Sequence, residues 1–190
     1  MNTRRLALVA APAAAFGIAV AVLSARAPAG ATRPPLAGPP ATLRATGLYA
    51  DWDERRVADG NLPYAPQYPL WSDGARKRRW IRIPSGAAID AARPDAWVFP
   101  VGTRLWKEFS LGGRRVETRY MERTASGWVF ASYAWSADQR EAVLAPAGGL
   151  AAVAEIAPGV AHAIPGQGEC RACHDAASPV LGFSALQLSP

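Results

Sequence analysis

From Arg78 to Pro146 the chain carries six short runs rich in aromatic and β-branched residues: RRWIRIP, AWVFPVG, RLWKEFS, RRVETRYMER, GWVFASYAW and EAVLAP. Each is bounded by Gly, Pro, Asp or Ser, and no 3.6-residue periodicity runs through the region, so helices do not suit it. In the first run Ile81 and Ile83 fall on one face, and Arg78, Trp80 and Arg82 on the other. That period of two is the mark of a half-buried strand. Gly112-Gly113 separates two runs at the spacing of a tight hairpin, and Ser126-Gly127 marks another turn. The expected fold is mainly β, an antiparallel meander forming a sandwich or small barrel, followed by a short, partly helical C-terminal segment.

The flanks divide the chain further. Arg4 and Arg5 precede an uncharged apolar run, Leu6–Ala25, and Ala29-Gly30-Ala31 follows with the small-x-small pattern of a cleavage site. Residues 1–31 therefore read as a signal peptide for export across a bacterial inner membrane. The alternative is an uncleaved N-terminal anchor, since about 20 apolar residues span a bilayer. Residues 32–46 begin TRPPLAGPP and read as a proline-rich linker. Residues 47–160 form the β-rich domain, with a short helix expected before Gly60. Removal of Arg4, Arg5 and Arg26 with the leader leaves 18 basic against 15 acidic residues, a formal charge of +3 instead of +6. So small an excess gives no basis for nucleic-acid binding and suits weak steering toward an acidic protein partner.

The only two cysteines stand together in GECRACHDAASP, with one of the two histidines. Cys170, Cys173 and His174 form C-x-x-C-H, the pattern of covalent haem c attachment. Two thiols three positions apart on a first helical turn each reach one vinyl-derived carbon of a haem edge. The adjacent imidazole then faces the iron. Other uses of the cluster are weaker. A structural zinc site needs four protein ligands, and His162 would complete two cysteines and two histidines at a spacing that matches no common finger. A thioredoxin-like pair belongs beside a βαβ unit, which is absent from this pattern. A disulfide across so short a span is a strained staple.

The second axial ligand is less legible. No Met or His follows His174. His162, twelve residues before it, ranks as the first distal candidate because Pro165 and Gly166 can fold the intervening segment back. Met121 ranks below it, an open sixth position stands beside His162, and Lys107 is a further candidate. In ARKRRWIRI, the cations Arg76, Lys77, Arg78, Arg79 and Arg82 pair with haem propionates or an acidic partner, or form the solvated face of an edge strand. Paired catalytic carboxylates, a Ser/His/Asp set and a phosphate loop are not recognisable.

The phrases YPLWSDGARKRRWIRIP, FPVGTRLWKEF, VETRYMER, GWVFASYAWSADQREAVLAP, IPGQGECRACH and PVLGFSALQLSP span the chain from about Gly47 to Pro190. In them the chain resembles a family of exported bacterial c-type cytochrome or haem-binding domains. The resemblance implies a β-rich domain with one haem site in its last segment, residues 161–190. Cys170, Cys173 and His174 match that family's attachment motif. The resulting expectation is a periplasmic monohaem electron carrier with a redox protein partner. The alternatives are an open-site haem protein that binds or reduces peroxide, O2, NO or CO, and a β-domain interaction module with a secondary haem.

Overall fold

The computed structural model describes residues 38–176 and 178–189. The expected leader and residues 32–37 lie outside them. Two short strands, β1 (Tyr49–Asp51) and β2 (Arg56–Val57), pair as a small hairpin. The main sheet follows: β3 (Leu62–Pro63), β4 (Arg76–Arg82), β5 (Arg104–Leu111), β6 (Arg114–Thr124), β7 (Gly127–Trp135) and β8 (Ala142–Leu144). These six strands lie in chain order, every neighbouring pair antiparallel. A second hairpin, β9 (Leu150–Ala157) and β10 (Val160–Ile164), leads into helices α1 (Gln167–His174) and α2 (Ala185–Leu188). The mainly β, antiparallel expectation holds. Among the described residues the sheet is open, with β3 and β8 as its unjoined edges, so it is not a closed barrel.

The hairpin between β5 and β6 turns on Gly112 and Gly113, whose φ values of +53° and +80° are the double positive that a type I′ turn demands. Its twist matches that of the flanking strands, which sets the register of the meander. Trp80, Trp106, Tyr120 and Ala131 then align across β4 to β7 on one face. Leu43, Leu48, Tyr49 and Trp52 cover that face and complete the larger apolar cluster. Trp106 donates its Nε1–H to Thr46 Oγ1 at 2.9 Å, and Tyr133 donates its hydroxyl to the Pro40 carbonyl at 2.8 Å.

Three local expectations change. Residues 40–46, read as the end of a proline-rich linker, are anchored to the core through Leu43 and Thr46. Leu43 is fully buried in a 3-10 turn over Leu43–Thr46, and Thr42 bridges Val143. The stretch expected to be helical before Gly60 is instead the β1–β2 hairpin. Asp51 Oδ1 accepts the backbone N–H groups of Asp53 and Glu54, a local turn that outcompetes helix. Trp52 thereby stacks on Trp135, ring centroids 5.5 Å apart and 9° from parallel. AWVFPVG forms only a bridge, Asp90 with Val98, because Pro94 and Pro100 interrupt any ladder.

The basic run is divided by strand alternation. Arg78 lies on the larger cluster's face and reaches buried Glu108 through Nε (3.1 Å) and a terminal nitrogen (2.7 Å). Arg115 Nε adds a 3.0 Å contact, and the Tyr49 hydroxyl donates to the same carboxylate at 2.5 Å. Lys77 and Arg79 lie on the opposite face. Replacing Trp106 with Ala empties the centre of the larger cluster and orphans Thr46. Such a change costs about 3–5 kcal/mol. Denaturant unfolding of the variant checks it, and a loss below about 1 kcal/mol would remove Trp106 from that central role.

Candidate functional site

The second face of the sheet is apolar at one end and cationic at the other. Ile81, Leu105 and Phe99 form the apolar end with Val180 and Phe183 from the tail. One step along the strands, Arg79, Lys107, Arg119 and Ser132 are direct cross-strand neighbours. Three like charges abreast destabilise a sheet, and only Arg119 has an acid to answer it. Its guanidinium contacts the Glu117 carboxylate at 2.6 and 3.1 Å. Burial, reinforced by Arg119, Arg79 and Lys77, pushes the Lys107 amine down to about 8.

α1 is held over this row by backbone contact. A Cβ on Gly166 would stand 2.4 Å from the Ala147 carbonyl oxygen, and one on Gly149 2.3 Å from that of Ile164. Only glycine permits this approach. The Gln167 N–H then donates to the Ala147 carbonyl at 3.1 Å, and Glu169 Oε2 accepts the Gly166 N–H at 2.8 Å. The clamp starts the helix that carries all three motif residues and sets it against β7.

His174 Nδ1 lies 2.5 Å from the Pro179 carbonyl oxygen, which can only accept. Nδ1 is therefore the protonated nitrogen and Nε2 keeps its lone pair. The ring packs on Phe130, centroids 5.5 Å apart. Burial lowers the His174 pKa, and Lys107 and Arg119 lower it further against the pull of the Pro179 carbonyl. The imidazole is neutral at pH 7, as a metal ligand must be. Cys170 is half-buried, Cys173 is exposed, and both thiols are free. Burial raises the Cys170 thiol pKa, partly offset by Arg119.

Cys170, Cys173 and His174 line one cleft of about 400 Å³ with Lys77, Lys107, Arg119, Phe109 and His162. Leu70 and Trp71 form its outer rim, where Trp71 is 87% exposed. A smaller pocket of about 30 Å³ runs beneath Cys170 and His174 and reaches Met121. Met121 faces Leu105 and Phe130 in register and packs in the smaller apolar cluster. His162 lies on β10, 2% exposed, with Nε2 at 3.2 Å from Glu117 Oε2. Burial raises the Glu117 pKa, but the bonds from His162 and Arg119 outweigh it and the acid is shifted down overall.

The donor set can be matched to a covalently held haem. Two thiols, one imidazole whose Nε2 makes no hydrogen bond among the described residues, apolar walls and the Lys77 and Lys107 amines, which can meet two carboxylates, line one cleft. The two cysteines and two histidines do not form a tetrahedral set; among the described residues no three His, Cys, Asp or Glu side chains gather at metal-binding spacing. Compared with protein-family models, curated proteins and solved structures, the chain matches none. Sequence reasoning named Cys170, Cys173, His174, His162, Lys107 and Met121 but missed Arg119, Glu117 and Phe109. Alternation in VETRYMER puts Glu117, Arg119 and Met121 on one face, yet which face meets the tail is a tertiary matter.

Two outcomes follow from this geometry. Gly166→Ala forces the α1 start away from Ala147. It should raise the reactivity of half-buried Cys170 toward a thiol reagent far more than it changes the circular dichroism of the sheet. In cofactor-free protein, Lys107 binds its proton less tightly folded than unfolded, so between pH 8 and 10 the unfolded state holds more protons. Its contribution to stability therefore increases as pH rises through that window. The difference between wild type and Lys107→Met in denaturant titrations at several pH values should follow that rise, and a flat difference would contradict it.

Proposed function

We propose that the protein is a monohaem c-type cytochrome domain that carries single electrons in the periplasm. The observation that supports this best is His174, on the same helix as Cys170 and Cys173, whose Nδ1–H is tied to Pro179 while Nε2 makes no hydrogen bond among the described residues. A histidine that binds a metal through one nitrogen commonly donates the other N–H to a carbonyl or carboxylate. Bound haem supplies a one-electron ferric/ferrous couple whose potential depends on ligands, hydrogen bonds and burial.

The chain's residues do the rest. Cys170 and Cys173 provide the thioether sulfurs, so the cofactor is not lost by dilution after export. His174 holds the proximal position in one tautomer. Lys107, Arg119 and Lys77 receive the carboxylates, which relieves the repulsion along the cationic row. Leu70, Phe109 and Leu181 keep water from the cleft. Half-exposed Arg171 on α1 stands 3.7 Å from Asp175, so steering toward an acidic redox protein rests on the formal excess of basic residues in the chain. Leu6–Ala25 serves export, and c-type attachment takes place outside the bacterial cytoplasm.

Expression with the native leader in a host that matures c-type cytochromes tests the reading. The expected result is a mass gain of one haem, a pyridine haemochrome spectrum of a doubly linked haem, and reversible one-electron reduction. Exchanging both Cys170 and Cys173 for Ala should abolish covalent attachment without unfolding the sheet, because neither side chain belongs to either apolar cluster. Native protein whose two sulfurs are free, or joined to each other, would overturn the proposal.

A further inference from the structure

Two histidines line the cleft, and they are held in different ways. His174 is oriented by a backbone carbonyl. His162 is oriented by a buried acid: its Nε2 stands 3.2 Å from Glu117 Oε2, and Glu117 is itself fully buried and gripped by Arg119. The other nitrogen, His162 Nδ1, is buried and has no hydrogen-bond partner among the described residues. Asp73 Oδ2 is the nearest carboxylate oxygen, at 3.8 Å, beyond hydrogen-bond reach. The other oxygen of Asp73 is occupied by the Trp71 indole N–H at 2.8 Å.

An unpartnered buried imidazole nitrogen forfeits its hydration with nothing to replace it. The strand is shaped to produce it. The β9–β10 register slips between His162 and Ile164, an irregularity of the kind that re-aims side chains at functional sites. Phe109 packs its ring 5.9 Å from that of His162, and the ring has no room to become a surface histidine. Nε2 faces Glu117, so Nδ1 is the nitrogen that makes no hydrogen bond among the described residues.

The geometry points to His162 Nδ1 as the second axial ligand of the haem, with Glu117 as the residue that positions it and sets its basicity. This rests on the cytochrome reading above. It specifies an iron held between two imidazoles, one from α1 and one from β10, each locked in a single tautomer by a different acceptor. Met121 is a poorer donor because its side chain is taken up by the apolar cluster with Leu105 and Phe183. The Lys107 amine stands between two guanidinium groups and is better placed to meet a carboxylate. A carboxylate acceptor gives the His162 imidazole part of the character of its anion, which favours the ferric state and lowers the reduction potential relative to a neutral acceptor.

The test uses the full chain matured with its leader. Wild-type protein should show six-coordinate, low-spin haem that does not bind carbon monoxide when reduced. His162→Ala should lose the low-spin spectrum, gain carbon monoxide binding, and recover low-spin character on addition of imidazole. Glu117→Gln should stay low-spin with a raised reduction potential. If that variant fails to fold, His162→Ala with imidazole rescue decides the ligand alone. Covalent haem that is high-spin in the wild type, or low-spin haem that survives His162→Ala, overturns this inference and leaves the cytochrome reading standing. An unchanged potential in Glu117→Gln removes Glu117 from its role. Absence of covalent haem overturns both.

Discussion

The cross-strand register of β4 to β7 carries two demands at once. The same pairing that aligns Trp80, Trp106, Tyr120 and Ala131 on one face aligns Arg79, Lys107, Arg119 and Ser132 on the other. Side chains alternate strictly along a strand, so a slip of one residue would drive the cations into the aromatic cluster and turn the tryptophans onto the cleft face. Burial of large aromatic area pins the register, and the cationic row comes with it. The unfavourable face is thus held in place by the favourable one.

What covers the second face is the tail. Val180 and Phe183 complete its apolar end, where Phe183 meets Tyr64, Trp97 and Phe99 edge-on at 4.6 to 5.9 Å. Aromatic pairs in this arrangement add to simple burial. At the other end the contact is backbone on backbone, with Gly149 and Gly166 pressed together. Between these two anchors lie α1 and the loop bearing Pro179. The motif residues are therefore positioned by packing on either side of them, and no motif residue is itself part of a core. That division leaves the motif side chains out of the core packing while their supports carry the stability.

Two buried glutamates show how one residue type serves two ends. Glu108, on the aromatic face, accepts from Tyr49, Arg78 and Arg115, a network with every oxygen engaged. Satisfied in that way, a buried charge joins the β1–β2 hairpin to the sheet. Glu117, on the cleft face, shares its oxygens between Arg119 and His162. One is a tie between layers. The other passes its charge to a side chain in the cleft.

The sequence by itself determined that this is an antiparallel β chain, because alternation and two-residue glycine turns are local properties read over a few residues. It also placed Cys170, Cys173 and His174 together, since their spacing falls within one short helix. The burial of Leu43 and Thr46 and the hairpin at Tyr49–Val57 escaped it, because proline content and local polarity say nothing of Trp106 and Trp135 waiting across the sheet. Only the tertiary structure decided the surroundings of the motif. Arg119 and Phe109 lie far from His174 in the chain, and they reach the cleft, with Glu117 buried behind them, because strand order, strand face and tail docking coincide. Such long-range coincidences depend on the total apolar area buried, a quantity that belongs to the whole fold and to no stretch of residues within it.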